Sequence, residues 1–357
     1  MITTENTVIF GVQSMERNDH HCNSGINKNP LITYAIFAFN QEAYIREAID
    51  AAFSQTYSPL EIIISDDASA DATPEIIRRM VAEYPGPHKV IVNINKKNLG
   101  IGAHVNKVFQ MASGDFLVLA AGDDVSAPDR TQLTVARWVE KGRLPSMVYC
   151  EADVIDANGK YAGRLDTALP NIDHAPSNLI EYSHPKRLLL MGACAAYAKR
   201  VISDFGPLME ELGVEDIPLA IRSSQMGGIE CIGQPLVQYR RNVSVWLPRK
   251  IPNENFERHF SRMSHRVRAN HKVAVQISLD LGKSKDEAAI LAAKRRYMCA
   301  KFSLDSLEER RFHFMEYLKI SIKTNYWREN LLPAIFFGFP RIHKLAFRFS
   351  QFIRREH

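Results

Sequence analysis

Four short apolar runs, each followed by residues at helical spacing, organise the first third of the chain. Leu31 to Phe39 (LITYAIFAF) has strand length, and after it Tyr44, Ile45, Ala48, Ile49, Ala52 and Phe53 trace one face of a helix. Glu61 to Ser65 (EIIIS) predicts a second strand. In the helix behind it Asp71 or Thr73 can cap, Pro74 suits an early position, and Ile76, Ile77, Met80, Val81 and Tyr84 share a side. Lys89 to Ile94 (KVIVNI) is a third strand, leading through Asn98 to Gly102 (NLGIG) into a helix bearing Val105, Val108, Phe109 and Ala112. Phe116 to Ala121 (FLVLAA) is a fourth, and Ser126-Ala127-Pro128-Asp129 opens a helix with Leu133, Ala136 and Val139 on its predicted buried side. This alternation predicts an α/β fold, a doubly wound and mostly parallel sheet flanked by helices.

The polar residues that close these strands carry the candidate chemistry. Ligands of such sheets bind outside the carboxyl ends of the strands, where Asn40, Asp66-Asp67 and Asp123-Asp124 all fall. Four carboxylates gathered there repel one another unless a cation or hydrogen-bond donors offset the charge. Taken one at a time the same residues also suit turns and helix caps, so position alone leaves both readings open.

Charge divides the chain. The net charge is +5 over 357 residues, yet from Arg240 onward 25 Lys and Arg face 11 Asp and Glu, leaving 20 basic and 29 acidic residues before it. An acidic body thus precedes a basic tail, with Trp246-Leu247-Pro248 and Pro252 interrupting regular structure at the change. The expected organisation is a loosely ordered leader over 1–30, a catalytic domain over 31–245 and a helical, basic C-terminal region over 246–357. The leader has no apolar signal core, and five scattered cysteines without a CxxC point to a reducing compartment rather than a disulfide or zinc framework.

Two blocks, ITYAIFAFNQEAYIREAIDAAFSQTYSPLEIIISDDASADAT and NLGIGAHVNKVFQMASGDFLVLAAGDDVSAPDR, occur in the order and spacing that resemble the family 2 glycosyltransferases, inverting enzymes of the GT-A fold. The resemblance continues through Met191 to Tyr197, Gly213-Val214-Glu215-Asp216 and Gly228 to Arg240. It implies a GT-A-type mixed sheet and assigns roles. Ala38, Phe39 and Asn40 would flank the base and ribose of a nucleotide, and Asp67 would accept its N3–H. Asp123 would contact the ribose, and Asp123 and Asp124 would hold Mn2+ or Mg2+. Asp216 would take the proton of the acceptor hydroxyl, or Glu215 if the loop register shifts by one. The donor implied is a nucleotide-diphosphate sugar, with a UDP-sugar preferred, and the acceptor a glycan or lipid-linked glycan in surface polysaccharide biosynthesis.

The chain departs from the family pattern at Phe37-Ala38-Phe39-Asn40, where the family often has Pro-Thr-Tyr-Asn. It also has Ala121 in place of the first acid of a strict DxD, and Val105 in place of an arginine. No Gln-x-x-Arg-Trp follows Asp216, which argues for adding one sugar per encounter. The alternative is a noncatalytic carbohydrate-binding or scaffold protein on the same fold, for which Ala121 leaves room. A nucleotidyltransferase would need a glycine-rich loop after the first strand, where FAFNQEAY stands. No nucleic-acid partner is expected, because the body is acidic and no RNP, KH or zinc pattern occurs.

The tail extends the prediction. Phe256 to Leu281, Lys285 to Ser306 and Glu308 to Ile322 read as helices, and Trp327 to Arg355 mixes aromatics with cations. Leu331 to Phe339 is too short to span a bilayer, whereas Leu345, Phe349, Phe352 and Ile353 can share a face below Arg341, Lys344, Arg348, Arg354 and Arg355. Two readings stand, peripheral contact of 327–355 with a membrane or ordinary packing on the body. The expected location is cytoplasmic, at the inner face of the membrane if the contact exists.

Overall fold

The computed structural model describes residues 2–4, 7–10, 29–165, 169, 172–182, 190–241, 255–282 and 284–313, with 317, 320, 337, 339, 341 and 344–345. In chain order the elements are β1 (Ile2–Thr4), β2 (Thr7–Phe10), β3 (Ile32–Ala38), α1 (Ile45–Phe53), β4 (Leu60–Asp66), α2 (Thr73–Ala82), β5 (Lys89–Ile94) and α3 (Ile101–Met111). Then come β6 (Phe116–Ala121), β7 (Val125–Ser126), α4 (Arg130–Glu140), β8 (Met147–Ile155), β9 (Tyr161–Arg164), α5 (Pro176–Tyr182), a 3-10 turn at Gly192–Cys194, β10 (Ala195–Ala198) and α6 (Arg200–Ser203). The last are α7 (Asp216–Met226), β11 (Ile229–Arg240), α8 (Phe256–Asp280) and α9 (Glu287–Glu309).

The sheet is mixed and runs β1-β2-β5-β4-β3-β6-β10-β8-β11-β7, with β9 on β8. Its parallel half, β5-β4-β3-β6, brings the strand ends level: Ala38 pairs with Asp66, Asp66 with Ile94, and Phe37 with Ala121. Beyond β6 the direction reverses at β10 and again at β8. All of β4 is buried, Glu61 included, and that carboxylate is satisfied by Thr33, Lys89 and Ser113, as a buried acid must be.

The expected strands and helices are present as far as Ser306, with three local differences, and the sheet is mixed rather than mostly parallel because β2, β7, β9 and β10 pair antiparallel. Neither Asp71 nor Thr73 is the N-cap of α2. Ala72 stands there, while Asp71 accepts from Thr73 N at 3.0 Å and Thr73 Oγ1 accepts from Gln41 N at 2.8 Å. α3 begins at Ile101, behind Gly100 with φ 78°. α4 is rotated from its predicted face: Ala136 and Val139 are exposed, and Arg130, Thr131, Thr134, Val135 and Trp138 are buried. Buried partners make this possible. Gln55 accepts from Thr131, Ser126 and the Leu119 carbonyl accept from Arg130, and Trp138 stacks on Phe116 with ring centroids 4.6 Å apart.

Within the stretch read as a leader, the β1–β2 hairpin joins the sheet at the edge of β5. Past residue 246, α8 and α9 do not stand apart: Val273, Ile277, Leu281, Ala289, Ala292 and Ala293 belong to the same apolar core as the sheet. The helix expected to begin at Glu308 does not begin there: α9 runs on to Glu309, Arg310 (φ 52°) ends it in the left-handed conformation, and 311–313 are not helical, while most of 314–322 and of the aromatic, basic stretch over 327–355 lies outside the described residues. Among the described residues no helix is long and apolar enough to cross a membrane.

Candidate active site

At the carboxyl ends of β3 and β4 two loops lock together through side chains that bond backbone. Asn40 (φ 50°) and Ala68 (φ 61°) both adopt the left-handed conformation, which asparagine tolerates and alanine adopts at a cost. Ser69 Oγ accepts from Asn40 N at 2.7 Å and itself donates to Asp66, while Ser69 N donates to Asp66 Oδ2 at 2.9 Å. Asn40 Oδ1 accepts from Ala70 N at 2.8 Å, and Glu42 and Asp71 exchange bonds with the opposite loop. Asp66 is therefore a brace of the loop; burial pushes its carboxyl up, and the Ser69 bonds pull against that.

Asp67 faces the β5–α3 loop. Its Oδ1 accepts from Asn95 Nδ2 at 2.8 Å and Leu99 N at 2.9 Å, and its Oδ2 accepts from Gly100 N at 3.0 Å. Lys107 Nζ donates to Asn95 Oδ1 at 2.7 Å, so a cation stands one residue behind the carboxylate. About four acceptor directions belong to an ionised carboxylate, and these bonds take three. Behind this group His104 Nε2 lies 2.6 Å from Ser65 Oγ, with Phe37 edge-on to its ring. Burial holds the His104 imidazole down to about 4, so it is neutral near pH 7.

Asp123 and Asp124 follow β6, both nearly inaccessible to solvent. Gly122 precedes them because the space is taken: a Cβ there would lie 2.4 Å from Gln41 Oε1 and 2.9 Å from Ile45 Cδ1. Gln41 in turn bonds Asp123 and accepts from Phe39 N at 3.3 Å. Asp124 Oδ1 accepts from Arg240 N at 2.8 Å. Burial raises both carboxyls, Asp124 well above the usual range because the Asp123 charge adds to it, while Arg240 acts against the rise at both and Arg130 at Asp124.

Glu215 and Asp216 form the N-terminus of α7, partly exposed in a crowded recess. A Cβ on Gly192 would lie 2.4 Å from Glu215 Oε1, so the 3-10 turn before β10 gives that carboxylate its place. Asp216 Oδ1 accepts from Ile217 N at 2.7 Å. Burial raises both carboxyls, and at Asp216 the neighbouring Glu215 charge raises it further. The phenol of Tyr197 on β10 is raised by burial, with the charges of Asp216 and Glu215 adding to the rise.

The structure thus brings Ala38, Phe39, Asn40, Asp67, Asp123 and Asp124 to one end of the sheet, with Ala38 O accepting from Asp67 N and Phe37 O from Gly122 N, both at 2.9 Å. Glu215 and Asp216 stand on the antiparallel side. Sequence reasoning missed Gln41, Ser69, Arg130, Gly192 and Arg240. Arg130 begins α4 and Arg240 ends β11, elements that carry other charged residues, so nothing in the sequence marked either one.

For a divalent ion the candidate donors would be two adjacent hard-oxygen ligands, Asp123 and Asp124; among the described residues no group of three His, Cys, Asp or Glu is placed to hold one. That fits an ion completed by substrate phosphates and water, and does not fit an all-protein cage.

The family model for glycosyl transferase family 2 matches residues 33–205. The chain is 29% identical over 202 residues to the putative glycosyltransferase EpsE of Bacillus subtilis, covering 57% of this chain and 69% of that one. Mycobacterial proteins that are 46% identical match over 88 residues, 25% of their own length. Among solved structures, Staphylococcus aureus TarS 1-349 in complex with UDP-GlcNAc aligns over 89% of this chain and 92% of its own, at 16% identity and a TM-score of 0.52. The mannosyltransferase PcManGT of Pyrobaculum calidifontis, in complex with GDP-Man and Mn2+, aligns over 91% of this chain and 81% of its own, at 18% identity and a TM-score of 0.52. The fold is that of GT-A glycosyltransferases.

Proposed function

Because the model for glycosyl transferase family 2 matches residues 33–205, we propose that this chain acts as a member of that family and moves one sugar, with inversion, from a nucleotide-diphosphate donor to a glycan or lipid-linked acceptor of a surface polysaccharide. The observation that carries this reading is the division of the acids: Asp123-Asp124 close β6 beside the Asn40 turn, and Glu215-Asp216 open α7 on the other side of β10. One pair suits the donor's diphosphate and the other the acceptor's proton.

In this reading the 38–40 segment and the loop held by Asp67 flank the nucleotide; Asp67 is fully buried, so a base N–H would reach it by displacing the β5–α3 loop donors. Asp123 and Asp124 would hold a divalent ion, which when bound supplies charge neutralisation at the leaving diphosphate. The acceptor oxygen attacks the anomeric carbon opposite the leaving group. As the C–O bond to the diphosphate breaks, its electron pair leaves with the nucleoside diphosphate, and the hydroxyl proton passes to Asp216. A carboxyl raised by burial is a better proton acceptor than an ordinary one, provided it is ionised at the working pH. The UDP-GlcNAc and GDP-Man bound by the two fold neighbours support a nucleotide-sugar donor, and the Mn2+ of one supports the ion. The proposal includes a cytoplasmic setting with contact of 327–355 to the inner membrane face, which rests on the sequence pattern alone.

A screen of nucleotide sugars, read as release of nucleoside diphosphate with and without Mn2+ or Mg2+, tests the reading. Turnover is expected for the wild type with metal, and roughly a hundredfold or greater loss in Asp124→Ala. Asp216→Asn is expected to bind donor and fail to transfer. If no donor turns over, the noncatalytic carbohydrate-binding reading replaces this one.

A further inference from the structure

Arg240, the last residue of β11, is 1% exposed, and each nitrogen of its guanidinium is engaged within the chain. Nε donates to the Asp123 carbonyl at 3.0 Å, Nη1 to the carbonyls of Asp156 and Ala157 at 3.3 Å each, and Nη2 to Glu47 Oε2 at 2.8 Å. The guanidinium carbon lies 4.7 Å from the centroid of the Tyr44 ring, and the residue's own N–H donates to Asp124 Oδ1. One residue therefore grips the main chain of Asp123 and the carboxylate of Asp124, and ties both to the start of α1 and to the turn after β8.

We propose that Arg240 is the positioning residue of the cation and diphosphate site, holding the Asp123–Asp124 turn in one arrangement against α1. The inference rests on the donor-site reading above and names a residue that reading does not use. Two adjacent buried carboxylates repel, and a turn that carries them relaxes outward unless something holds it. The planar fork of an arginine supplies fixed directions that a lysine cannot. Since its nitrogens already serve backbone and Glu47, Arg240 acts on the substrate only through Asp123 and Asp124.

The test uses the full chain and the variants Arg240→Met, Arg240→Lys and Glu47→Ala, the last removing one anchor at a half-exposed site. Mn2+ affinity is read by electron paramagnetic resonance of the free ion in the presence of UDP or GDP. Amide hydrogen exchange at residues 122–125 is read without ligand, and thermal unfolding is followed alongside. Outer partners of metal ligands typically control affinity by about ten- to a hundredfold, so Arg240→Met is expected to weaken Mn2+ by that factor, Arg240→Lys by less, and Glu47→Ala by roughly threefold. Exchange at 122–125 should quicken in the same order. Mn2+ affinity within about twofold of wild type in folded Arg240→Met overturns the proposal. If that variant does not fold, unchanged affinity in both Arg240→Lys and Glu47→Ala overturns it. If the wild type takes up no Mn2+ with either nucleotide, the cation reading fails by itself. Exchange at 122–125 then decides for Arg240: faster in the variants supports the positioning role, unchanged removes it.

Discussion

At Asp216 burial acts first on the carboxyl and the charge next to it adds to the rise. Burial and Glu215 both raise its carboxyl, and a base must be ionised to accept a proton, so the acidic limb of kcat/KM should lie above the ordinary carboxylate range. Replacing Glu215 by Gln removes a like charge, which favours the ionised form of Asp216 and moves that limb to lower pH. A pH profile of Glu215→Gln checks this, and complete loss of transfer with donor binding intact would instead identify Glu215 as the base. Adjacent acids at 215 and 216 were legible in the sequence. Their environment was not, because Gly192 and Tyr197, which surround them, lie some twenty residues upstream.

Among elements, the approach of β6 to α1 shapes the donor end of the sheet. Gly122 leaves room for Gln41, and adding a methyl there forces either Gln41 or Ile45 to move. Overpacking of this kind costs about 1–3 kcal/mol, and displacing Gln41 also releases Asp123, so Gly122→Ala should lower both stability and nucleotide affinity. Thermal unfolding and calorimetric binding of UDP check the pair. In Gly122→Ala with Gln41→Ala the lost stability should return in part, whereas the affinity should not. The strands and their acid ends were readable from apolar runs and turn chemistry. Apolar spacing alone predicts the wrong face of α4, because Arg130 and Thr131 are buried through hydrogen bonds.

For the whole molecule, the charge boundary in the sequence does not separate independent bodies. Arg222 on α7 and Asp280 at the end of α8 form a buried bidentate pair, 2.8 and 2.9 Å, and Arg222 Nη1 also donates to the Val201 and Gly206 carbonyls. Gln276 of α8 accepts from Met209 N in the loop that leads to Asp216. α8 thus steadies the helix that begins with the candidate base. Removing one partner of such a pair leaves an uncompensated buried charge, so Asp280→Ala should destabilise the full chain by about 3–5 kcal/mol in urea unfolding. The body and α8 should unfold in one transition; a separate, earlier transition for the C-terminal helices would contradict the shared core.

By itself the sequence determined the order of strands and helices, the acid-bearing strand ends and the family whose model matches 33–205, because periodicity, caps and turn residues are local. Tertiary structure alone decided what each acid is bonded to. Asp66 turned inward to Ser69, Asp67 took up the β5–α3 loop, and Asp124 was fixed by Arg240, 116 positions away. A carboxylate's role depends on the donors and charges around it, and folding brings those from strands that sequence spacing does not connect.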